Sequence, residues 1–294
     1  MENIKSRIFT GKIKIYKNQK LGNKTMEIKV WHHSIKDIAS YPPGVKDENE
    51  SIMANAVNAA NYDLISLIKP GDKVVEIGCG SDSWIKKNLP NDAFWDGIDV
   101  FDVDLRGRKC IATKLGSVHE IPFSNNNFDW VLANQSMEHW FEYDVKMEDA
   151  LSEMARVLRV GGQAHLNFPF YLHGHSFFVQ GNLKAILDLI DLDIWNIVDI
   201  IAYNDSESQD YRGWQHCGFP DKYVQRFNKT NTSFVVNLVL EKISSKKDKH
   251  PENPDNRVLN IKPHISQIKM ALSHSLYVLV WKIFKKLTKG KTGR

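Results

Sequence analysis

The chain has 294 residues, 42% of them apolar, enough for one α/β core with additions and too many for a disordered chain. Its three cysteines (Cys79, Cys110, Cys217) form no C-x-x-C pair, which argues against a zinc ribbon or a disulfide framework and for a reducing compartment. Residues 242–294 carry 13 Lys or Arg against 3 Asp or Glu, a net of +10; the rest carry 26 against 32, a net of −6, and an acidic body argues against a nucleic-acid substrate.

Residues 1–50 read as an N-terminal extension. Ile13 to Tyr16 and Met26 to Val30 alternate as strands do, whereas Trp31-His32-His33 and Tyr41-Pro42-Pro43-Gly44 read as loop or cap material. The extension is either a surface addition or a lid over the substrate. Met1 to Leu21 has no apolar core of a signal peptide, so a cytoplasmic chain is expected.

Residues 51–242 read as the main domain. Val57, Ala60, Leu64, Ile65 and Ile68 recur at helical spacing, and Pro70-Gly71-Asp72 stops that helix. Lys73-Val74-Val75-Glu76-Ile77 is then a buried strand running into Gly78-Cys79-Gly80-Ser81-Asp82. Glycine lets a backbone approach a ligand closely, and the carboxyl ends of open α/β sheets are where ligands bind. The third glycine of a dinucleotide fingerprint is replaced by Ser83, and no P-loop lysine follows. Strands are expected near 73–77, 94–99, 109–113, 128–133, 163–168, 194–202 and 233–242, with helices between most of them. Such alternation predicts a doubly wound, mainly parallel α/β sheet.

Further segments complete the pattern. Phe94 to Val100 is a strand ending in Asp99, 19 positions after Gly80. That spacing suits a carboxylate that accepts from a ribose diol. Next come Gly116-Ser117-Val118-His119-Glu120-Ile121-Pro122-Phe123, Phe128-Asp129-Trp130-Val131, Glu138-His139, and Arg156-Val157-Leu158-Arg159-Val160-Gly161-Gly162. In this order the segments resemble the class I S-adenosylmethionine-dependent methyltransferases, in particular the small-molecule members of the methyltransferase domain 11 type. The resemblance covers about residues 70–170. It implies a Rossmann-like sheet of about seven strands, the last inserted antiparallel at about Ser233 to Leu240, and S-adenosylmethionine as cofactor. It implies that Glu76, Gly78, Cys79, Gly80, Ser81 and Asp82 face the methionine part and that Asp99 and Val100 face the ribose and the adenine edge. Ser117 and Val118 would flank the adenine, and Asn134 and Gln135 would border the sulfonium.

Two departures stand out. Asp82 occupies the place of the family's third glycine, where it would cap the next helix or face the ligand's amino group. Ser117 occupies a place where the family often has an acid.

An alcohol nucleophile needs a base, and histidine titrates near neutrality. His139 follows the fourth strand of the domain; His173 and His175 follow the fifth, in Phe168-Pro169-Phe170-Tyr171-Leu172-His173-Gly174-His175. These three are the candidate catalytic bases. The F-P-F-x-x-H-x-H segment loosely resembles members associated with sugar or cell-surface polysaccharide modification. Asn134-Gln135-Ser136-Met137 differs from the N-P-P-Y of amino-methylating DNA enzymes. His173, His175, His216 and Cys217 are metal-ligand types, but the pairs lie 41 positions apart and no metal is expected.

Residues 243–262 read as a linker and 263–294 as a basic amphipathic helix. Ile265, Ile268, Leu272, Leu276, Leu279, Val280, Ile283 and Leu287 form one stripe. The uncharged run Met270 to Val280 is too short to span a bilayer, but with Tyr277, Trp281 and Phe284 it suits a membrane interface. The alternative is packing on the domain or on a second subunit in a homodimer. The expected protein is a methyltransferase peripheral to the inner face of the membrane. Its partner would be a small-molecule or lipid-linked sugar acceptor, methylated on a hydroxyl. The rivals are a nucleic-acid or protein methyltransferase and an inactive binding module.

Overall fold

The structure, a computed structural model, describes residues 12–21, 23–34, 52–104, 107–170, 175–179, 181–204 and 234–244. Val74 and Val75, both fully buried, form the centre of β3 (Lys73–Ile77), which is covered on both faces as an inner parallel strand must be. β3 pairs in parallel with β4 (Phe94–Asp99) on one side and with β6 (Phe128–Asn134) on the other. β4 continues to β5 (Lys114–Leu115), and β6 to β7 (Leu158–Phe170), again in parallel. β9 (Phe234–Lys242) inserts antiparallel between β7 and β8 (Trp195–Asn204), as the resemblance implied.

Six of the seven expected strands lie where expected and the third is displaced, and among the described residues the sheet has nine strands. A hairpin of β1 (Lys12–Leu21) and β2 (Lys24–Ser34) joins its far side, giving the order β1-β2-β8-β9-β7-β6-β3-β4-β5. Trp31, His32 and His33, expected in a loop, belong to β2. They pair in parallel with Ile201, Ala202 and Tyr203 of β8, and this ladder carries the strand past its alternating part.

The third domain strand was expected at 109–113 and is instead the two-residue β5. Residues just before it are spent on other contacts: Lys109 bridges Val103, Ile111 N–H donates to Gly80 O, and Thr113 N–H donates to Gly97 O. Between β4 and β5 there is a folded-back loop and no described helix.

The two faces of the sheet are covered by different helices. α1 (Ile52–Ile65) packs Ala56, Ala59 and Ala60 on Ile201 and Val235, and Leu64 with Val74 and Leu132. α3 (Met147–Val157) covers the other face, where Ala150, Leu151 and Met154 join the core of Val75, Val131 and Leu166. Its buried Arg156 and Glu153 are paired at 2.9 Å. Arg156 donates to the carbonyls of Phe123 (2.8 Å) and Ile121 (2.7 Å), while Glu153 accepts the Ile121 N–H. The I-P-F and R-V-L segments therefore belong together: one buried ion pair ties the loop after Ser117 and Val118 to helix α3. The short α2 (Trp84–Asn88), α4 (Ser176–Val179) and α5 (Leu183–Leu187) complete the described helices. The expected linker and basic helix, and the Asp210 to Cys217 segment, lie outside the described residues.

Candidate functional site

From β3 the chain runs outward to β4 and β5; from β6 it runs the other way to β7. β3 and β6 are neighbours, so the carboxyl ends of these two strands form the switch point at which open α/β sheets bind ligands. Gly78 and Gly80 follow β3 with φ of +71° and +61°. A Cβ on Gly78 would lie 2.8 Å from Ser136 Cβ, so the turn after β3 presses directly on the turn after β6. A Cβ on Gly80 would meet nothing within 4 Å, so that turn opens onto free space.

Glu76 is buried beneath the turn. Its Oε2 accepts from Ser83 Oγ (2.5 Å) and Trp95 Nε1 (3.0 Å). Burial pushes its carboxyl above the usual range, with those two bonds working the other way. Glu76 thus holds the turn from below.

Ser83, not Asp82, caps α2, accepting the Lys86 N–H at 3.0 Å. Asp82 is exposed and pairs with Lys87 at 2.6 Å, so of its two expected roles the cap falls to Ser83 instead. Ser81 Oγ donates to Asp104 at 2.9 Å. The Cys79 thiol is pushed up to about 12, first by burial and then by the Asp99 charge, so it is no nucleophile at neutral pH.

Asp99 ends β4 facing this turn. Its Oδ2 accepts the Gly80 N–H at 2.9 Å and its Oδ1 the Phe101 N–H at 3.3 Å. Val100 follows at partial exposure. Val118 is buried, and buried Ser117 places its Oγ 2.7 Å from His119 Nδ1.

At the end of β6, Gln135 takes a left-handed φ of 53°. Its N–H donates to Asn167 O (2.8 Å) and its Nε2 to Asn167 Oδ1 (2.6 Å). Asn134 Oδ1 is buried without a hydrogen-bond partner among the described residues.

His139 lies not on an α-helix but on the 3-10 turn 137–143. Its Nδ1 is 2.7 Å from Glu142 Oε1, and its Nε2 3.9 Å from Glu138 Oε1. Burial works to lower its pKa, but the Glu142 hydrogen bond and the two carboxylates outweigh it and leave it raised. His175 stacks on Phe141 at 3.9 Å between ring centroids, and burial lowers its pKa. Of the metal-ligand set, His173, His216 and Cys217 lie outside the described residues.

The family model of a methyltransferase domain matches residues 75–166, the span from β3 to β7 that builds this edge. Within that span the chain is similar to a methyltransferase domain, in line with the resemblance carried by its motifs. No curated protein matches the chain. Among solved structures, it is similar to a geranyl diphosphate methyltransferase in complex with SAM, at 14% identity and a TM-score of 0.44. That alignment covers 68% of this chain and 94% of that one. It is also similar to the YcgJ protein of Bacillus subtilis, at 12% identity and a TM-score of 0.43, covering 63% and 98%.

The methyltransferase domain fits S-adenosylmethionine on its own geometry. Gly80 leaves open space beside the turn, and Asp99 keeps acceptor capacity beyond its two backbone bonds. Asn134 Oδ1 supplies a buried acceptor with no partner among the described residues, suited to an amino group. Two cavities among the described residues, one beside Glu148 and Asp188 and one beside Lys24 and Ile243, are lined by no candidate residue.

Three residues at this edge escaped the motif reading. Phe101 and Tyr143 approach at 6.0 Å between ring centroids beside Asp99. Burial, then the charges of Glu142 and Asp99, raises the Tyr143 phenol to about 12. The acid-x-aromatic spacing of Asp99 and Phe101 was a visible signal, as was the i,i+3 spacing of His139 and Glu142. Tyr143 had no such signal.

Proposed function

We propose that the domain methylates a hydroxyl of a sugar or related small molecule. The observation that carries this reading is the His139–Glu142 pair on the turn after β6. A hydroxyl is a weak nucleophile until its proton is taken, whereas an unprotonated amine needs no such help. Glu142 holds the Nδ1 proton of His139, and this fixes the tautomer in which Nε2 is the basic nitrogen.

S-adenosylmethionine supplies an electrophilic methyl group on a sulfonium. The chain's own part is placement: the acceptor oxygen must sit about 3 Å from that carbon and in line with the bond that breaks. His139 Nε2 takes the hydroxyl proton as the new C–O bond forms, and Glu142 stabilises the resulting imidazolium. Asp99, the Gly78–Ser81 backbone and Asn134 hold the cofactor. The acidic body favours a neutral acceptor over a nucleic acid, and the basic, apolar-striped segment 263–294 supports an acceptor carried on a lipid at an anionic surface.

The test offers the purified chain and S-adenosylmethionine a panel of monosaccharides, nucleotide sugars and glycolipids, with RNA and peptides alongside. Mass spectrometry then reads the methylated product. An O-methyl sugar is expected, with His139→Gln slowing transfer by about 10²–10⁴-fold. Methylation of RNA or peptide with no sugar product would overturn the reading.

A further inference from the structure

Asn134, Asn167 and Asn237 pair in register across β6, β7 and β9. Side chains of residues paired in this way point to one face of the sheet. Leu132 and Asn134 share that face, and Leu132 packs there against Leu64 of α1. The sequence therefore sets a row of amides beneath a helix where apolar residues would pack more readily.

Several of these groups have no hydrogen-bond partner among the described residues. They are the acceptors Asn134 Oδ1 and Gln135 Oε1, the donor Asn167 Nδ2, and Asn61 Nδ2 on α1. Asn167 and Asn61 are only 4% and 3% exposed. A buried amide atom left unmet costs about 1–3 kcal/mol, so four on one side of one sheet are an anomaly that a ligand or trapped water would remove. Gln135 adds a second cost. It holds a left-handed φ that only a minority of non-glycine residues adopt, and in that conformation its amide clamps Asn167 Oδ1. The clamp leaves Asn167 Nδ2 and Gln135 Oε1 as one donor beside one acceptor.

The cluster carries no charge. His165, two residues before Asn167 on the same face, is held neutral by burial, which lowers its pKa to about 3. Its Nδ1 also lacks a partner. A carboxylate or phosphate would find no cation in this row. A hydroxyl, which donates and accepts at once, meets both amide atoms.

We propose that Asn167 and Gln135 form the subsite for the ring hydroxyls of a neutral sugar acceptor, with Asn167 as the residue that sets specificity. This assignment rests on the acceptor class proposed above. It places the recognised hydroxyls next to Ser136 and the glycine turn, at the point of transfer.

The test uses the full chain saturated with S-adenosylhomocysteine. Saturation-transfer NMR is recorded on a mixture of glucose, galactose, mannose and N-acetylglucosamine, with gluconate as the charged control. The wild-type chain takes up at least one neutral sugar and not gluconate. Asn167→Leu, which keeps the branching and the number of side-chain heavy atoms, weakens that sugar about tenfold while its calorimetric affinity for S-adenosylhomocysteine is unchanged. Should Asn167→Leu fail to fold, Gln135→Asn replaces it, because asparagine tolerates the left-handed φ and withdraws the acceptor by one methylene; the same weakening is expected. A folded variant that binds the sugar as the wild type does overturns the subsite and leaves the acceptor class standing. A wild-type chain that takes up no neutral sugar, or prefers gluconate, overturns both.

Discussion

The Gly80 N–H donates to the Asp99 carboxylate at 2.9 Å, so the turn after β3 is tied to the end of β4 by the group expected to meet the cofactor's ribose. Asp99→Ala removes both that tie and the acceptor. A hydrogen bond to a charged group is worth about 1.5–3 kcal/mol, so S-adenosylmethionine affinity should fall about 10–100-fold by calorimetry. Unchanged affinity would remove Asp99 from the site.

The two glycines of the turn should fail differently. Gly78→Ala places a methyl against Ser136 in addition to its φ strain, and should destabilise the fold by about 1–3 kcal/mol in a urea melt. Gly80→Ala meets open space, bears only the φ strain, and should lose cofactor affinity more than stability. Equal stability losses would show that the space beside Gly80 is not ligand space.

His139 gives a pH signature. Its folded pKa lies above the ordinary 6.5, so the stability it gains from Glu142 is complete below 6.5 and is lost as pH rises through the folded value. Transfer needs the neutral imidazole and should rise through the same window. Glu142→Gln removes the main partner of the imidazolium and should move the rising limb of the kcat profile to lower pH. A limb that does not move would separate the pair from proton transfer.

Arg156 holds the loop that carries Ser117 and Val118. Arg156→Met leaves Glu153 as a buried, unpaired carboxylate and frees the carbonyls of Ile121 and Phe123. The expected cost is about 3–5 kcal/mol by denaturant unfolding, and the double variant with Glu153→Gln should recover part of it. No recovery would mean that the carbonyl bonds, not the ion pair, dominate.

The parts of this fold that sequence reveals are those fixed by local chemistry. β3, its glycine turn and Asp99 were legible because a buried strand, a positive-φ turn and an acid each require particular residue types at close spacing. The membership of Trp31 to His33 in β2 was not, because their pairing partners are Ile201 to Tyr203, far along the chain. The cap of α2 was not legible, because Asp82 and Ser83 can both cap and only the direction of the turn decides between them. The amide row was invisible for the same reason as β2: Asn134, Asn167 and Asn237 become neighbours only through strand register.

The hairpin β1–β2 also changes what the sheet shows to other molecules. By capping β8, it makes β1 the outer strand among the described residues, and the sequence of β1 has Lys12, Lys14, Lys17 and Lys20 with a register irregularity between Tyr16 and Gln19. The opposite border is β5, only two residues long. A lysine-studded, kinked strand and a very short one are both poor templates for strand addition from a second chain. The nine-stranded sheet is thereby guarded at both margins against edge-to-edge aggregation.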